Sequence, residues 1–323
     1  MGARLRMGVI GAGLMGRLHA ENIGFRVDGA ELVAVCDINR AAAEACASSF
    51  GVDVAYLDYS ELLSNSRVDA VVVCTPPNTH GEIVAAAARA GKHIFCEKPL
   101  DCALPAIDRA LDAVAKAGVK LQIGFNRRFD RAFHNAQREV SAGAIGTRLT
   151  LHITSRDPVR TAGEAPSFKP EMFLDTTIHD FDMARFVMGE EIVSVFSLAT
   201  ERGESAESSE TAITVVRFDS GAVGVIDNSW LSTYGYDQRL EVFGTAGVVS
   251  VQNEDAHPTG TEGAPFFVQR YFDSYLAEMA AFADCIVHDT EPAVTGADGR
   301  AAVALALAAQ RSLKEWRQVK EIG

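Results

Sequence analysis

The six cysteines (Cys36, Cys46, Cys74, Cys96, Cys102 and Cys285) include no CxxC pair and no metal-ligand spacing. This argues against a zinc ribbon or a dithiol redox centre. Cys36, Cys74 and Cys96 instead end apolar strand-like runs, where a thiol packs as a small hydrophobe. The eight histidines also lack ligand spacing, so no metal is expected. Basic residues are in deficit, with 30 Lys and Arg against 43 Asp and Glu and a net charge of -13. Such a surface repels phosphate backbones and anionic lipid, so neither nucleic acid nor a membrane is an expected partner. No apolar run approaches a membrane span. The opening MGARLRMGVIGAG runs straight into a strand and a glycine turn, which leaves no stretch for a secretory leader. A cytoplasmic protein is expected. What is present is 323 residues, 48% of them hydrophobic, enough for two domains with sizeable cores.

The first half alternates short apolar runs with helical stretches. Residues 5–10 form one run, which ends in Gly11-Ala12-Gly13-Leu14-Met15-Gly16 before a helix. A second strand, 31–36, ends at Asp37-Ile38, with Arg40 close behind. A GxGxxG between strand and helix, followed by an acidic strand end, is the dinucleotide fingerprint. In that pattern Gly11 allows the turn, Gly13 lets the backbone approach a pyrophosphate, and Gly16 permits close helix–strand packing. Asp37 would accept hydrogen bonds from the adenosine ribose and repel a 2′-phosphate, so NAD is the expected cofactor. Arg40 leaves NADP as a weaker alternative.

Further strands at 52–56, 69–74, 93–96 and 119–123, with helices between them, predict a parallel sheet covered on both faces. Ligands on such a sheet bind beyond the carboxyl ends of its strands. The unusual polar residues fall there: Thr75, Pro76, Asn78 and His80 in CTPPNTH, then Glu97 and Lys98 in EKPL. Leu14, Met15, Ile38 and these loop residues are the candidate cofactor contacts. A lysine at a strand end could stabilise a developing alkoxide. Taken alone, it could equally be a solvated lysine before a proline-led turn. Pro99 holds Lys98 extended and permits a cis bond.

After residue 125 the pattern changes. A helix at 131–142 and a strand at 147–155 precede an irregular, proline-broken stretch, 159–172, which is a candidate loop over a site. Strands at 192–199, 211–218, 222–230, 238–243 and 248–252 read as a mostly antiparallel meander, and helices at 272–287 and 297–316 close the chain. Both faces of ITVVRF and AVGVI are apolar. That pattern predicts helices on one side of the sheet and another subunit on the other. The expected fold is thus an α/β Rossmann domain over 1–124, with a parallel sheet and helices on both faces. An α+β domain with a large open, mostly antiparallel sheet would occupy 125–323.

Within LDTTIHDFDMARF (174–186), Asp175 and His179 stand four residues apart. If a helix covers both, they share one face. Thr177 and Asp180 also fit a capping box, which would start the helix later and leave Asp175 in the preceding loop. In both cases His179 lies near a helix N-terminus, whose partial positive charge disfavours the imidazolium. A neutral imidazole beside a carboxylate can take a proton. The plainer alternative makes the two aspartates caps and His179 a core histidine.

Together GAGLMG, the Cys36-Asp37 strand end, CTPPNTH, EKPL and D-x3-H followed by Asp180 resemble the Gfo/Idh/MocA family of nicotinamide-dependent sugar and polyol dehydrogenases. GFNRRFD, SRDP, DTTIHDFDMARF and YGYDQRLEVFGTAG resemble its inositol-oxidising branch. The resemblance implies catalytic roles for Lys98, Asp175 and His179, and a homotetramer built through the C-terminal sheet. It also implies oxidation of a ring secondary alcohol of a cyclitol, first of all myo-inositol to its 2-ketone, with His179 as general base. Lys98, Asp175 and His179 would then also contact the substrate, alongside Arg127, Asp157 and Tyr236, with Arg128 and Tyr234 close seconds. Another cyclitol, an aldopyranose, transient oxidation that drives glycoside cleavage, or a non-enzymatic dinucleotide sensor are the competing readings. One departure stands out: Pro170-Glu171-Met172 occupies a position where the branch carries a Gly-Gly pair, which puts the exact substrate in question.

Overall fold

The computed structural model describes residues 4–159, 171–200, 210–253, 266–320 and 322–323. The chain divides into two compact units: Met1–Phe125 with Tyr275–Arg300, and Asn126–Ser274 with Ala301–Gly323.

The first unit holds six parallel strands: β1 (Leu5–Ile10), β2 (Ala30–Cys36), β3 (Ala55–Tyr56), β4 (Ala70–Val73), β5 (His93–Glu97) and β6 (Leu121–Gly124), in the order β3-β2-β1-β4-β5-β6. Helices α1 (Leu14–Phe25), α2 (Arg40–Ser49), α3 (Tyr59–Ser64), α4 (His80–Arg89) and α5 (Leu104–Ala117) make the crossovers. β4 is buried throughout, as a strand covered on both faces must be. The strand expected over 52–56 shrinks to two residues at the sheet edge.

A single cut after residue 124 does not describe the division. Helix α8 (Phe266–Val287) passes a kink at Tyr271, and its later residues return to the first unit. Met279, Phe282 and Ala283 of α8 share a core with Met7, Val9, Val72 and Phe95. The rings of Phe95 and Phe282 lie 5.8 Å apart. An apolar helix face finds its burial wherever complementary surface exists, whatever its place in the sequence.

The second unit opens with α6 (Arg131–Ser141), capped by the Asp130 carboxylate, which accepts from the Ala132 and Phe133 amides. Its sheet comprises β7 (Arg148–Pro158), β8 (Ile192–Ala199), β9 (Thr211–Phe218), β10 (Val223–Ser232), β11 (Asp237–Gly244) and β12 (Gly247–Val251). The order is β12-β11-β7-β10-β9-β8, with β7 parallel to β10 and every other pair antiparallel. A simple meander is therefore not what forms, because the first strand of the unit is inserted between β11 and β10. The helices α7 (Ile178–Met188) and α9 (Gly296–Glu315) complete the described elements, and α7 packs on β7. On β9, Ala212, Thr214, Val216 and Phe218 are buried, while Ile213 and Val215 on the opposite face are each 38% exposed. None of the described helices is long and apolar enough to cross a membrane.

Candidate active site

The dinucleotide turn sits where the strand order of the first sheet reverses, between β1 and β4, the place where such sheets take ligands. Gly11 has φ +98°, and a Cβ there would lie 2.6 Å from the Cys74 carbonyl oxygen. A Cβ on Gly16 would overlap the Gly11 carbonyl oxygen, so the helix can approach the turn only without one. Gly13 heads α1 with nothing within 4 Å of where its Cβ would stand. This open cradle at a helix N-terminus fits a pyrophosphate. Asp37 accepts N–H bonds from Ala12 at 2.7 Å and Asn39 at 2.8 Å. Each carboxylate oxygen keeps acceptor capacity for a ribose hydroxyl. Leu14 (51% exposed) and Ile38 (94%) present apolar side chains at the same strand ends. Arg40 is exposed and pairs with Glu44 at 3.4 Å.

Two of the expected cofactor contacts are built inward. His80 is buried, with Nδ1 2.7 Å from the Pro99 carbonyl oxygen and Nε2 2.7 Å from that of Thr75. Burial pushes this imidazole down, against the pull of the two carbonyls. One ring nitrogen donates its N–H and the other faces the second carbonyl oxygen, so the ring is enclosed between the CTPPNTH and EKPL loops and is not offered to a ligand. Glu97 is likewise buried, and its carboxylate faces His19 and the Lys98 amide. Lys98 is half-buried and precedes a cis bond to Pro99. Thr75 is half-buried, while Pro76 and Asn78 are exposed at the same loop.

In the second unit, Asp175 and His179 lie on continuous helical backbone. A π-helical turn, Phe173–Thr177, leads directly into α7, and Met172 before it is already helical. Single π turns of this kind recur at functional sites. The capping box does not form. Thr177 is helical and buried, and its hydroxyl donates to Asn228 Oδ1 at 2.8 Å. His179 thus stands roughly two turns inside the helical run. The partial positive charge of a helix end fades within its first turn, so it does not reach the imidazole. Asp175 and His179 are both half-buried.

What holds this segment is a buried polar network. Arg127 Nη1 donates to Asp180 Oδ1 at 2.6 Å, and Asn228 Nδ2 donates to Asp180 Oδ2 at 2.7 Å. Trp230 Nε1 donates to Thr176 Oγ1 at 2.7 Å. Cross-strand register explains the floor beneath it: Asn228 on β10 faces Ser155 on β7, which faces Gln238 on β11. All three are buried, and Ser155 donates to Gln238 Oε1 at 2.8 Å. Burial raises the Asp180 carboxyl, and Arg127, Asn228 and Gln238 offset only part of that. For Arg127, burial works against the charge, but Tyr236, Tyr271, Asp180 and Asp157 outweigh it and push the guanidinium up.

The structure therefore brings Arg127, Asp157 and Tyr236 together, yet it gives Arg127 a structural partner. Tyr236 is half-buried, and its hydroxyl is 3.2 Å from that of Tyr271 and 3.5 Å from Arg127 Nη2. Arg128 turns away to a bidentate pair with Asp182 at 2.9 and 2.6 Å. Tyr234 donates to Asp237 at 2.8 Å on the exposed rim. Sequence reasoning missed Thr176, Asn228, Trp230, Gln238 and Tyr271. Asn228, Trp230 and Gln238 lie on strands and Thr176 and Tyr271 on helical segments, so local periodicity marks at most a buried face, and their partners are far away in sequence. Most of the candidate loop 159–172, Pro170 included, lies outside the described residues. Of the departing tripeptide, Met172 is buried, and Glu171 accepts a hydrogen bond from the Gln310 amide.

Comparison with known proteins agrees with this geometry. Residues 5–125 match the oxidoreductase family with an NAD-binding Rossmann fold, and residues 133–250 match the Gfo/Idh/MocA C-terminal domain. The chain is 44% identical to myo-inositol 2-dehydrogenase of Thermotoga maritima, with 98% of each chain covered. It is 41% identical to inositol 2-dehydrogenase of Rhizobium meliloti, also over 98% of each. The crystal structure of scyllo-inositol dehydrogenase from Lactobacillus casei with bound NAD(H) and scyllo-inositol superposes with a TM-score of 0.89 at 26% identity, covering 98% and 99%.

Proposed function

The chain belongs to the Gfo/Idh/MocA family of NAD-dependent oxidoreductases, and we propose that it oxidises a ring secondary alcohol of a cyclitol, myo-inositol first among them. The observation that carries this reading is the anchored helical segment that bears Asp175 and His179. A polyol offers no charge to grip, so its binding depends on fixed hydrogen-bonding groups, and the Arg127–Asp180–Asn228 network supplies that rigidity.

In this reading NAD+, when bound, accepts the hydride. Gly11, Gly13, Gly16 and the head of α1 hold its pyrophosphate, and Asp37 its adenosine ribose. His179 takes the proton of the reacting hydroxyl, so the alcohol carbon loses a hydride and the oxygen loses a proton, which leaves a ketone. Asp175 orients the ring and supports His179. Lys98 donates a hydrogen bond to the reacting oxygen as charge develops on it. Asp157 and Tyr236 bind other hydroxyls. Arg127 contributes by holding Asp180 and has only its remaining donors for the substrate.

Asp37 favours NAD over NADP. The half-exposed apolar rows on the open face of the second sheet support self-association there as a homotetramer. Leu198 pairs with Ile213 in one row, and Phe196, Val215 and Val225 form the next. All six cysteines lie outside disulfides, which supports a cytoplasmic location. A second reading, a scyllo-inositol or aldopyranose dehydrogenase, is favoured by Glu171-Met172 standing where the branch carries small glycines. Initial rates of NADH formation across myo-, scyllo- and D-chiro-inositol and a set of aldoses decide between them. The highest kcat/KM is expected for myo-inositol. A clear preference for an aldose sinks the cyclitol reading.

A further inference from the structure

Behind the EKPL loop, the first unit buries three titratable side chains that the proposed chemistry leaves unused. His19 on α1, Glu97 at the end of β5 and Glu278 on α8 each bring an atom within 4.8 Å of the others. Their relative exposures are 0%, 7% and 0%. The three come from points far apart in the sequence, so no spacing rule could have grouped them. Glu97 uses both oxygens: Oε1 lies 2.7 Å from His19 Nε2, and Oε2 accepts from the Lys98 amide at 3.3 Å. Glu278 differs, since neither of its oxygens has a hydrogen-bond partner among the described residues, and neither does His19 Nδ1. The surroundings are apolar or weakly polar. The Phe95 ring lies 5.1 Å from the imidazole and the Tyr275 ring 6.2 Å. The Cys96 thiol donates to the Glu97 main-chain carbonyl at 3.3 Å.

Two carboxylates and one imidazole, enclosed without a compensating Lys or Arg among the groups that act on Glu278, cannot carry two negative charges cheaply. A metal ion could balance them, but the geometry argues otherwise. Two ligand atoms on a tetrahedral ion at about 2.0–2.1 Å stand about 3.3 Å apart, whereas His19 and Glu97 meet at 2.7 Å, a charge-assisted hydrogen-bond distance.

We propose that His19, Glu97 and Glu278 form a buried positioning cluster in which Glu278 is a neutral carboxylic acid and Glu97 the single carboxylate. Glu97 then accepts from both the His19 Nε2–H and the Lys98 main chain, and so fixes the backbone from which Lys98 reaches the reacting oxygen. A neutral Glu278 leaves one negative charge in the cluster, since two buried carboxylates this close would repel each other. Burial, followed by the Glu97 charge, pushes the Glu278 carboxyl well up from its ordinary value, in the same direction. The role given to this cluster rests on the reading of Lys98 as the hydrogen-bond donor to the reacting oxygen, while the protonation state of Glu278 does not.

Two measurements on the full-length, NAD-loaded enzyme test these parts separately. Infrared spectra of protein labelled with carboxyl-¹³C glutamate, taken at neutral pH, should contain the carbonyl stretch of a protonated acid. Glu278→Gln should remove it. Absence of that band from the wild type overturns the proposal, as does a stoichiometric metal found in the purified protein by mass spectrometry. In steady-state kinetics, Glu97→Gln should lower kcat by roughly tenfold to a hundredfold with little change in the KM for NAD. Its side-chain amide presents an N–H where an acceptor is needed. Glu278→Ala should also reduce kcat, and Glu278→Gln, which copies the neutral acid, should recover it. Unchanged kcat in Glu97→Gln overturns the positioning role. Lys98→Met tells the two readings apart. Near-full turnover in that variant removes the reading of Lys98, and with it the role of the cluster, while the infrared band still reports on Glu278.

Discussion

Arg127 and Asp180 are 53 residues apart in the chain and form a buried ion pair at 2.6 Å, with side-chain exposures of 6% and 0%. Asp180 immediately follows His179, so the pair pins the helical segment that bears the proposed base to the start of the second unit. Removing one partner strands the other charge away from water. Asp180→Asn should therefore lose about 3–5 kcal/mol of stability, read by urea unfolding. Replacing both, as Arg127→Met with Asp180→Leu, should recover a good part of that loss. Equal destabilisation in the single and double variants would contradict the pairing.

The glycine turn offers a sharper contrast. Gly16→Ala must displace the backbone of Gly11, so both the melting temperature and NADH affinity should fall. Gly13 has ordinary negative φ and open space around it. Gly13→Ala should leave melting unchanged and weaken NADH binding alone, followed by nucleotide fluorescence. A drop in melting temperature for Gly13→Ala would show that the open space serves folding and not a ligand.

Much of this was legible in the sequence. Unalternating apolar runs, the glycine turn and the acidic strand end fix a doubly wound sheet through local rules of burial and backbone freedom. The strand ends were likewise located, because polar residues stand out where apolar runs stop. Three features were not legible. Arg127 looked available for substrate because nothing local distinguishes a buried guanidinium from a ligand-facing one. The return of α8 to the first unit follows from which apolar surfaces match, a property of the folded chain alone. β7 takes a central place because its register with β10 and β11 lines up Asn228, Ser155 and Gln238 under Asp180, a match among three separate strands.

Acid stability carries a signature of the ion pair that joins β1 to the start of β4. Asp69 is held below its ordinary value chiefly by the hydrogen bond from Arg6. A depressed carboxyl stabilises the fold above its unfolded pKa, and that contribution disappears as pH falls through the folded pKa. Asp69→Asn should melt below wild type at neutral pH, and the two curves should converge in acid. Because both partners are partly exposed, the gap should be small and should shrink in high salt. A constant offset at every pH would assign the effect to packing.

The open face of the second sheet predicts its own occupant. Val215→Lys places a charge amid Phe196 and Val225, where an apolar partner surface is expected to sit. Sedimentation velocity should show the wild type as a tetramer and the variant as smaller species with unaltered secondary structure. A wild-type monomer at micromolar concentration would contradict the tetramer.

The most direct test of the proposed chemistry is NAD+ reduction with myo-inositol by the wild type and by His179→Ala, with NADH binding measured in parallel. A positioned general base contributes roughly 10²–10⁴-fold. Turnover should therefore fall by at least that order while NADH binding persists. Near-wild-type turnover in His179→Ala would contradict the account.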